Sequence, residues 1–131
     1  MNNYSNFKIV GSGPSGLLLA ISLSKLNFNI YITDLLSREK LINKDKTYAI
    51  THSTRKILTK FNLWSKLYSY LYKFDSLSIS DSVTSDFTIL TTSDLDKDIS
   101  SVDGIGWVVK HSDLMNVFFD EIDKMDNIFF K

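Results

Sequence analysis

The sequence contains no cysteine, a single proline and only five glycines in 131 residues. Without cysteine there can be no disulfides, thiolate metal sites or sulfur nucleophile, and the composition suits a reducing compartment. Charge of one sign is missing too. Lysine plus arginine match the acidic residues, 15 to 15, so no net field draws the chain to nucleic acid or an anionic membrane. Nor is there a long apolar run. The most apolar segment, 16–26, is about half the length that spans a bilayer and is interrupted by Ser22 and Ser24. The N-terminus MNNYSNFKIV lacks the basic and apolar regions of a secretory signal. Asp94, Asp96 and Asp98 have the spacing of a calcium loop but lack its glycine and terminal glutamate, so no metal site is expected. These absences describe a soluble, cytoplasmic protein with no transmembrane segment and no nucleic-acid partner, leaving at most a peripheral contact with a membrane.

What is present is core-forming. Hydrophobic residues make up 44% of the chain and charged ones 23%, a composition suited to one ordinary globular domain. Phe7-Lys8-Ile9-Val10 reads as a short buried strand. From Pro14 to Leu26 the pattern is helical: Leu17 and Ile21 share a face, and Gly16 and Ala20 form a small stripe that would let the helix lie close to a sheet. Pro14 suits a first helical turn and Asn27 a helix stop. Residues 29–33 (NIYIT) form a second strand, followed by a polar loop over 35–47. A helical stretch over 53–71 buries Ile57, Phe61, Trp64, Leu67 and Leu71 and is divided at Asn62. Leu77 and Ile79, then Phe87 and Ile89, alternate with hydroxyl residues around DSVTSD, which predicts a β-hairpin. A strand over 105–109, a helix over 113–122 and a strand over 128–130 follow. The class is α/β, opening on a βαβ unit, with parallel strands near 7–10, 29–33 and 127–130. The apolar strand at the end is the mark of the N-terminal part of something longer.

Three of the five glycines and the only proline fall in Gly11-Ser12-Gly13-Pro14-Ser15-Gly16, a G-x-G-x-x-G between strand and helix. Gly11 makes the tight turn, Gly13 admits a pyrophosphate against the backbone, and Gly16 lets the helix pack on the strand. Phosphates belong at the helix N-terminus, where unpaired N–H groups and the positive end of the dipole favour anions. Asp34 ends the next strand, eighteen positions after Gly16, where an acid accepts hydrogen bonds from a ribose 2′-hydroxyl and repels a 2′-phosphate. The unit over 7–34 is therefore a Rossmann-type dinucleotide site. Its physics does not separate FAD from NAD.

Beyond this motif, Tyr48-Ala49-Ile50-Thr51-His52-Ser53 and Ile57-Leu58 through Phe61-Asn62-Leu63-Trp64 resemble the ubiquinone-biosynthesis hydroxylases. These are FAD-dependent aromatic-ring monooxygenases of the para-hydroxybenzoate hydroxylase fold. The family's Arg-x-x-Ala-Leu, Leu-Gly-Leu-Trp and Gly-Tyr-Val-Val segments have counterparts in Lys46-Thr47-Tyr48-Ala49-Ile50, Phe61-Asn62-Leu63-Trp64 and Gly106-Trp107-Val108-Val109, in order along nearly the whole chain. Lys46 replaces an arginine near the flavin, keeping the charge without the planar fork. Asn62 replaces a helix-ending glycine, and His111 stands where relatives carry a polar or basic residue close to the cofactor.

The resemblance implies an incomplete fold: residues 1–131 as the N-terminal part of an FAD-binding domain, with strands over about 75–109 starting an inserted sheet of the substrate domain. It implies FAD held by Gly11, Ser12, Gly13, Pro14, Ser15, Gly16, Asp34, Lys46 and His111, reduction by NAD(P)H, and oxygen transfer to an aromatic quinone precursor, often prenylated. No residue here is assigned to catalysis. The family's second FAD motif lies beyond residue 131, so a complementary C-terminal chain is expected. The rivals are another FAD enzyme of this fold, such as an isoprenoid reductase or cyclase, an inactive truncated or split nucleotide-binding fragment, and a plain NAD module. Trp64 and Trp107 read as core, and His52 and Arg55 as solvated residues at a helix start.

Overall fold

The structure, a computed structural model, describes residues 6–95 and 104–131. Strand β1 (Asn6–Val10), helix α1 (Pro14–Ser24) and strand β2 (Asn29–Thr33) form the expected βαβ unit. The two strands pair in parallel, Phe7 opposite Ile30 and Val10 opposite Thr33. Pro14 opens α1 after an extended Gly13, and the chain leaves the helix through Asn27 at φ 63°. The last strand, β8 (Ile128–Phe130), adds in parallel to the other side of β2, giving the order β1-β2-β8.

Two parts of the chain depart from expectation. Residues 35–47 are not wholly loop: helix α2 (Arg38–Ile42) sits within them, capped by Ser37, whose hydroxyl accepts from the Lys40 amide at 3.4 Å. Only Leu41 of this short helix is buried, so it leaves no apolar period to detect. Residues 47–51 form strand β3, which exists because β7 (Gly106–Lys110) pairs with it antiparallel, Ala49 opposite Val108. Beyond β3 the helical stretch is divided at Asn62 (φ 60°), as predicted, into α3 (His52–Lys60) and α4 (Trp64–Leu67), with a tight turn over 68–70. Strand β4 (Tyr72–Phe74) lies on the far side of β7, completing a three-stranded sheet in the order β3-β7-β4.

Strands β5 (Ser76–Ser80) and β6 (Phe87–Thr91) form the predicted hairpin as a separate two-stranded sheet. The strands expected over 75–109 therefore divide between two sheets, since β7 pairs with β3 and β4. The hairpin leaves Leu77, Ile79, Phe87 and Ile89 exposed, and Val10 on β1 is also open to solvent.

Helix α5 (His111–Ile122) organises the core. Met115, Phe118 and Phe119 share one buried cluster with Leu17 and Ile21 of α1 and Ile30 and Ile32 of β2, and α5 lies directly against α1. Full burial of each such side chain is worth about 1.5–3 kcal/mol, which fixes α1 over the sheet and the glycine loop at its end. Glu121, nearly buried on α5, pairs with Lys66 of α4 and with Lys25 at the end of α1, at 3.8 Å for the latter. Asn127 joins α1 to β8: its amide donates to the carbonyls of Ser24 (3.0 Å) and Phe28 (2.8 Å), while the Ser24 hydroxyl donates back to it.

Candidate functional site

The glycine loop connects β1 to α1, and its geometry follows from each glycine in turn. Gly11 adopts φ 100°, and its amide donates to the Thr33 carbonyl at 2.8 Å, turning the loop across the end of β2. A Cβ on Gly16 would stand 2.1 Å from the Gly11 carbonyl oxygen, so only glycine lets the helix start this close to the turn. A Cβ on Gly13 would meet nothing within 4 Å. The space over Gly13 is open, while the space over Gly16 is filled by the loop itself.

The turn aims Ser12 at Asp34. The Ser12 amide donates to Asp34 Oδ2 at 2.7 Å and its hydroxyl donates to the same oxygen at 2.9 Å. The Leu36 amide donates to Oδ1 at 2.9 Å. The Ser12 amide, then the Leu36 amide, hold the carboxyl below the usual aspartate range; slight burial opposes them, and the Ser12 hydroxyl and Leu35 amide add to the lowering. A carboxylate has about four acceptor positions. Both Ser12 donors go to Oδ2 and the Leu36 amide to Oδ1, so Oδ1 is the less committed of the two oxygens.

Asp34 and Ser12 line a cavity of about 350 Å³ with Leu36, Leu41, Phe119 and Phe130. Arg38 and Lys131 lie on its rim. Arg38 is fixed twice: its guanidinium stacks 4.3 Å above the Phe119 ring and pairs with both carboxylate oxygens of Asp123 at 2.8–2.9 Å. A second cavity of similar volume, also about 350 Å³, has Pro14, Ser15, Tyr48, Ala49 and Thr54 in its largely apolar lining. Ser12, just before α1, lines the first cavity, and Pro14 and Ser15 of its first turn line the second. That turn holds no acidic residue and Gly13 supplies no side-chain cap, so the positive end of the helix is left for an anion.

The structure thus brings together Gly11, Ser12, Gly13, Pro14, Ser15, Gly16 and Asp34. Lys46 and His111 stand apart from them. The Lys46 side chain is exposed and lines neither cavity, and its carbonyl accepts from the His111 amide at 2.8 Å. The His111 ring is buried: Nε2 donates to the Leu41 carbonyl at 2.6 Å, and Nδ1 lies 2.9 Å from the Tyr48 hydroxyl. Leu41 lines one cavity and Tyr48 the other, so His111 ties their walls together.

Sequence reasoning missed Arg38, Phe119 and Lys131 at the cavity. Arg38 was hidden in a charged run, and the other two reach the site only through the long-range packing of α5 and β8. His52 and Arg55 are not solvated as expected. His52 Nε2 donates to the Gly104 carbonyl at 2.8 Å, and Arg55 lies over the rings of Trp64 and Trp107, at 5.3 and 5.2 Å. Trp107 is buried and Trp64 half-buried, a small aromatic core beneath α3. Among the described residues there is no group of three or more potential metal ligands, and no helix is long and apolar enough to cross a membrane. Asp96 and Asp98 of the acidic run lie outside the described residues.

Comparison with known proteins bears on the fold. No protein-family profile matches the chain. Eighty residues are 31% identical to an uncharacterized protein of Synechocystis sp. (slr1300), covering 61% of this chain and 19% of that protein. Among solved structures, p-nitrophenol 4-monooxygenase PnpA from Pseudomonas putida superposes with a TM-score of 0.75 at 17% identity, over 97% of this chain and 32% of that one. The 2-methyl-3-hydroxypyridine-5-carboxylic acid oxygenase gives 0.74 at 11% identity, over 99% and 32%. PqsL of Pseudomonas aeruginosa, a probable FAD-dependent monooxygenase, gives 0.64 at 10%, over 97% and 32%. The chain spans about a third of the length of these structures. It has the α/β fold of the flavin-dependent aromatic monooxygenases, in part.

Proposed function

We propose that the chain is the N-terminal, FAD-binding part of a flavoprotein monooxygenase that hydroxylates an aromatic ring with NAD(P)H and O2. A single observation carries the reading: Ser12 fixes the Asp34 carboxylate at the mouth of a cavity beside a helix N-terminus that has no acid of its own. The space open over Gly13 takes the pyrophosphate, whose charge meets the first amides of α1. Asp34 Oδ1 accepts from a ribose hydroxyl. Gly11 and Gly16 shape the turn, Ser12 orients the acid, and Pro14 and Ser15 start the helix toward the second cavity. These residues fit the adenosine and pyrophosphate half of a dinucleotide.

FAD, once bound, supplies the redox and oxygen chemistry, and the protein contributes position, a dry pocket and electrostatics. Of the remaining candidates, we assign His111 a positioning role, because both of its ring nitrogens are engaged within the fold. Lys46 lines neither cavity, and we assign its exposed charge to an anionic part of the cofactor that reaches beyond them. The resemblance to ubiquinone-biosynthesis hydroxylases makes a quinone precursor, with or without a prenyl tail, the proposed substrate, and a cytoplasmic place beside the membrane that supplies such a lipid the proposed setting.

A second reading has its own support. The chain spans a third of its structural neighbours, and the β5–β6 hairpin and the β1 edge present exposed apolar side chains. Such surfaces aggregate or recruit a complementary chain. On this reading the 131 residues alone are a nucleotide-binding fragment without activity. The test is to purify the chain and measure its flavin absorbance, oligomeric state and NADPH oxidation. We expect weak binding of the adenosine end, little retained FAD and no hydroxylation. A soluble yellow monomer that oxidises NADPH with an aromatic substrate would make the chain a complete minimal enzyme.

A further inference from the structure

Arg38 raises a question that nucleotide binding alone does not answer. In Rossmann-type sites an acid at the end of the second strand selects a free 2′-hydroxyl, whereas an arginine nearby accommodates a 2′-phosphate. This cavity carries both, Asp34 and Arg38. A guanidinium is the best side-chain partner for phosphate because its planar donors match two oxygens at once. Left free, Arg38 would offset the repulsion that Asp34 exerts on a 2′-phosphate.

Arg38 is not free. Its Nη1 and Nη2 donate to Asp123 Oδ1 and Oδ2 at 2.9 and 2.8 Å, and its flat face rests on Phe119 at 4.3 Å. The Nη1–Nη2 edge of the guanidinium already grips a carboxylate, which neutralises its charge and fixes its orientation, although Nε–H and the outer N–H groups are not used by this pair. Asp123 follows α5 directly and is not among the residues lining the cavity. The pair is partly exposed, with about half of each side chain accessible, and an exposed ion pair alone is weak. Two-point geometry and stacking on a buried ring are the conditions under which it becomes specific.

We propose that Asp123 is a specificity determinant of the glycine-loop site, acting from outside it. By holding the Nη1–Nη2 edge of Arg38 it leaves Asp34 in control of the cavity, which then accepts adenosine nucleotides with a free 2′-hydroxyl and rejects their 2′-phosphorylated counterparts. The inference rests on the nucleotide reading above and adds that the site belongs to FAD- or NAD-type adenosine and not to NADP-type adenosine. Asp123 is a positioning residue. It touches Arg38 and no ligand.

The test compares 5′-AMP with adenosine 2′,5′-bisphosphate, which differ only by the 2′-phosphate, titrated into the full chain and followed by the amide resonances of Gly11 to Gly16. Wild type is expected to favour 5′-AMP by about tenfold or more, the size of one charge-assisted interaction. Asp123→Asn is expected to leave 5′-AMP within about twofold and to tighten the bisphosphate by about tenfold. Adding Arg38→Ala to Asp123→Asn should abolish that gain; if it persists, another cation such as Lys131 supplies it and the proposal is wrong. An unchanged preference in Asp123→Asn, or a parallel change in both affinities, also overturns it. If wild type shows no 5′-AMP response at all, the nucleotide reading itself fails, and this inference with it.

Discussion

Ser12 and Asp34, twenty-two positions apart, are joined twice, through the amide and through the hydroxyl of the serine to one carboxylate oxygen. The bond ties the first turn of the dinucleotide loop to the end of the second strand before any ligand arrives. The carboxylate is thereby held still, with Oδ2 committed to Ser12 and Oδ1 the oxygen that the proposed site turns toward a ribose hydroxyl. Binding then costs little rearrangement of the acid.

The glycines separate the loop's folding role from its binding role. Gly16→Ala should destabilise the fold by about 1–3 kcal/mol, the range for overpacking, because its methyl would lie 2.1 Å from the Gly11 carbonyl oxygen. Gly13→Val should melt close to wild type yet lose nucleotide binding, since its side chain enters space that is open in the protein and needed by the pyrophosphate. Thermal melts and nucleotide titrations of both variants check the pair. Equal binding by Gly13→Val and wild type would reduce the motif to a turn.

Asp34→Ala should weaken binding of adenosine nucleotides by about 1.5–3 kcal/mol, the range for a hydrogen bond to a charged group. An effect below about 0.5 kcal/mol would remove Asp34 from the site. The acid also has a pH signature. Its folded pKa is depressed, chiefly by the Ser12 and Leu36 amides, so its stabilising contribution is present above the ordinary value near 3.8 and is lost as pH falls through the folded value. Asp34→Asn should flatten the acid limb of a stability–pH profile; an unaltered limb would show that the Ser12 bond adds nothing.

Glu121 should make the acid limb steeper by a second route. Burial raises its pKa, but the hydrogen bond and charge of Lys66, with the charges of Lys25 and Lys124, outweigh burial and leave it below the usual glutamate value of 4.5. Stability from this group is present above that value and lost as pH falls through the folded pKa. Glu121→Gln should cost about 1–2 kcal/mol at pH 7, the lower part of the range for charged hydrogen bonds because Lys66 is substantially exposed. Denaturant melts at pH 7 and pH 3 check it: the difference between variant and wild type should shrink at the lower pH.

His111→Ala should cost about 2 kcal/mol or more, because it orphans the buried Leu41 carbonyl and deletes the partner of the Tyr48 hydroxyl. If His111 acts only by positioning, nucleotide affinity at pH 7 should fall less than fivefold. A larger loss with the fold intact would place its ring in direct contact with the cofactor.

The sequence determined the βαβ unit and the turn of its glycine loop, because every signal there is local. The Gly11–Gly16 spacing, Pro14 at a first turn and Asp34 at a strand end act within a few residues of one another along the chain or across one strand pair. The break at Asn62 and the β5–β6 hairpin were legible for the same reason, since a left-handed residue and a two-residue alternation are properties of short segments. What tertiary structure decided is everything that depends on a distant partner. Strand β3 is a strand because β7 pairs with it, sixty residues on. The turn of α2 persists because Leu41 finds the core. His111 and Arg55 are drawn inward by a buried carbonyl and two tryptophans, and Arg38 meets Asp123 across eighty-five residues. A charged residue in a polar run reads the same in the sequence whether it ends in water or on an aromatic ring. Only the packing of α5 against the sheet tells the two apart, because the free energy that orders such side chains comes from groups the local sequence does not contain.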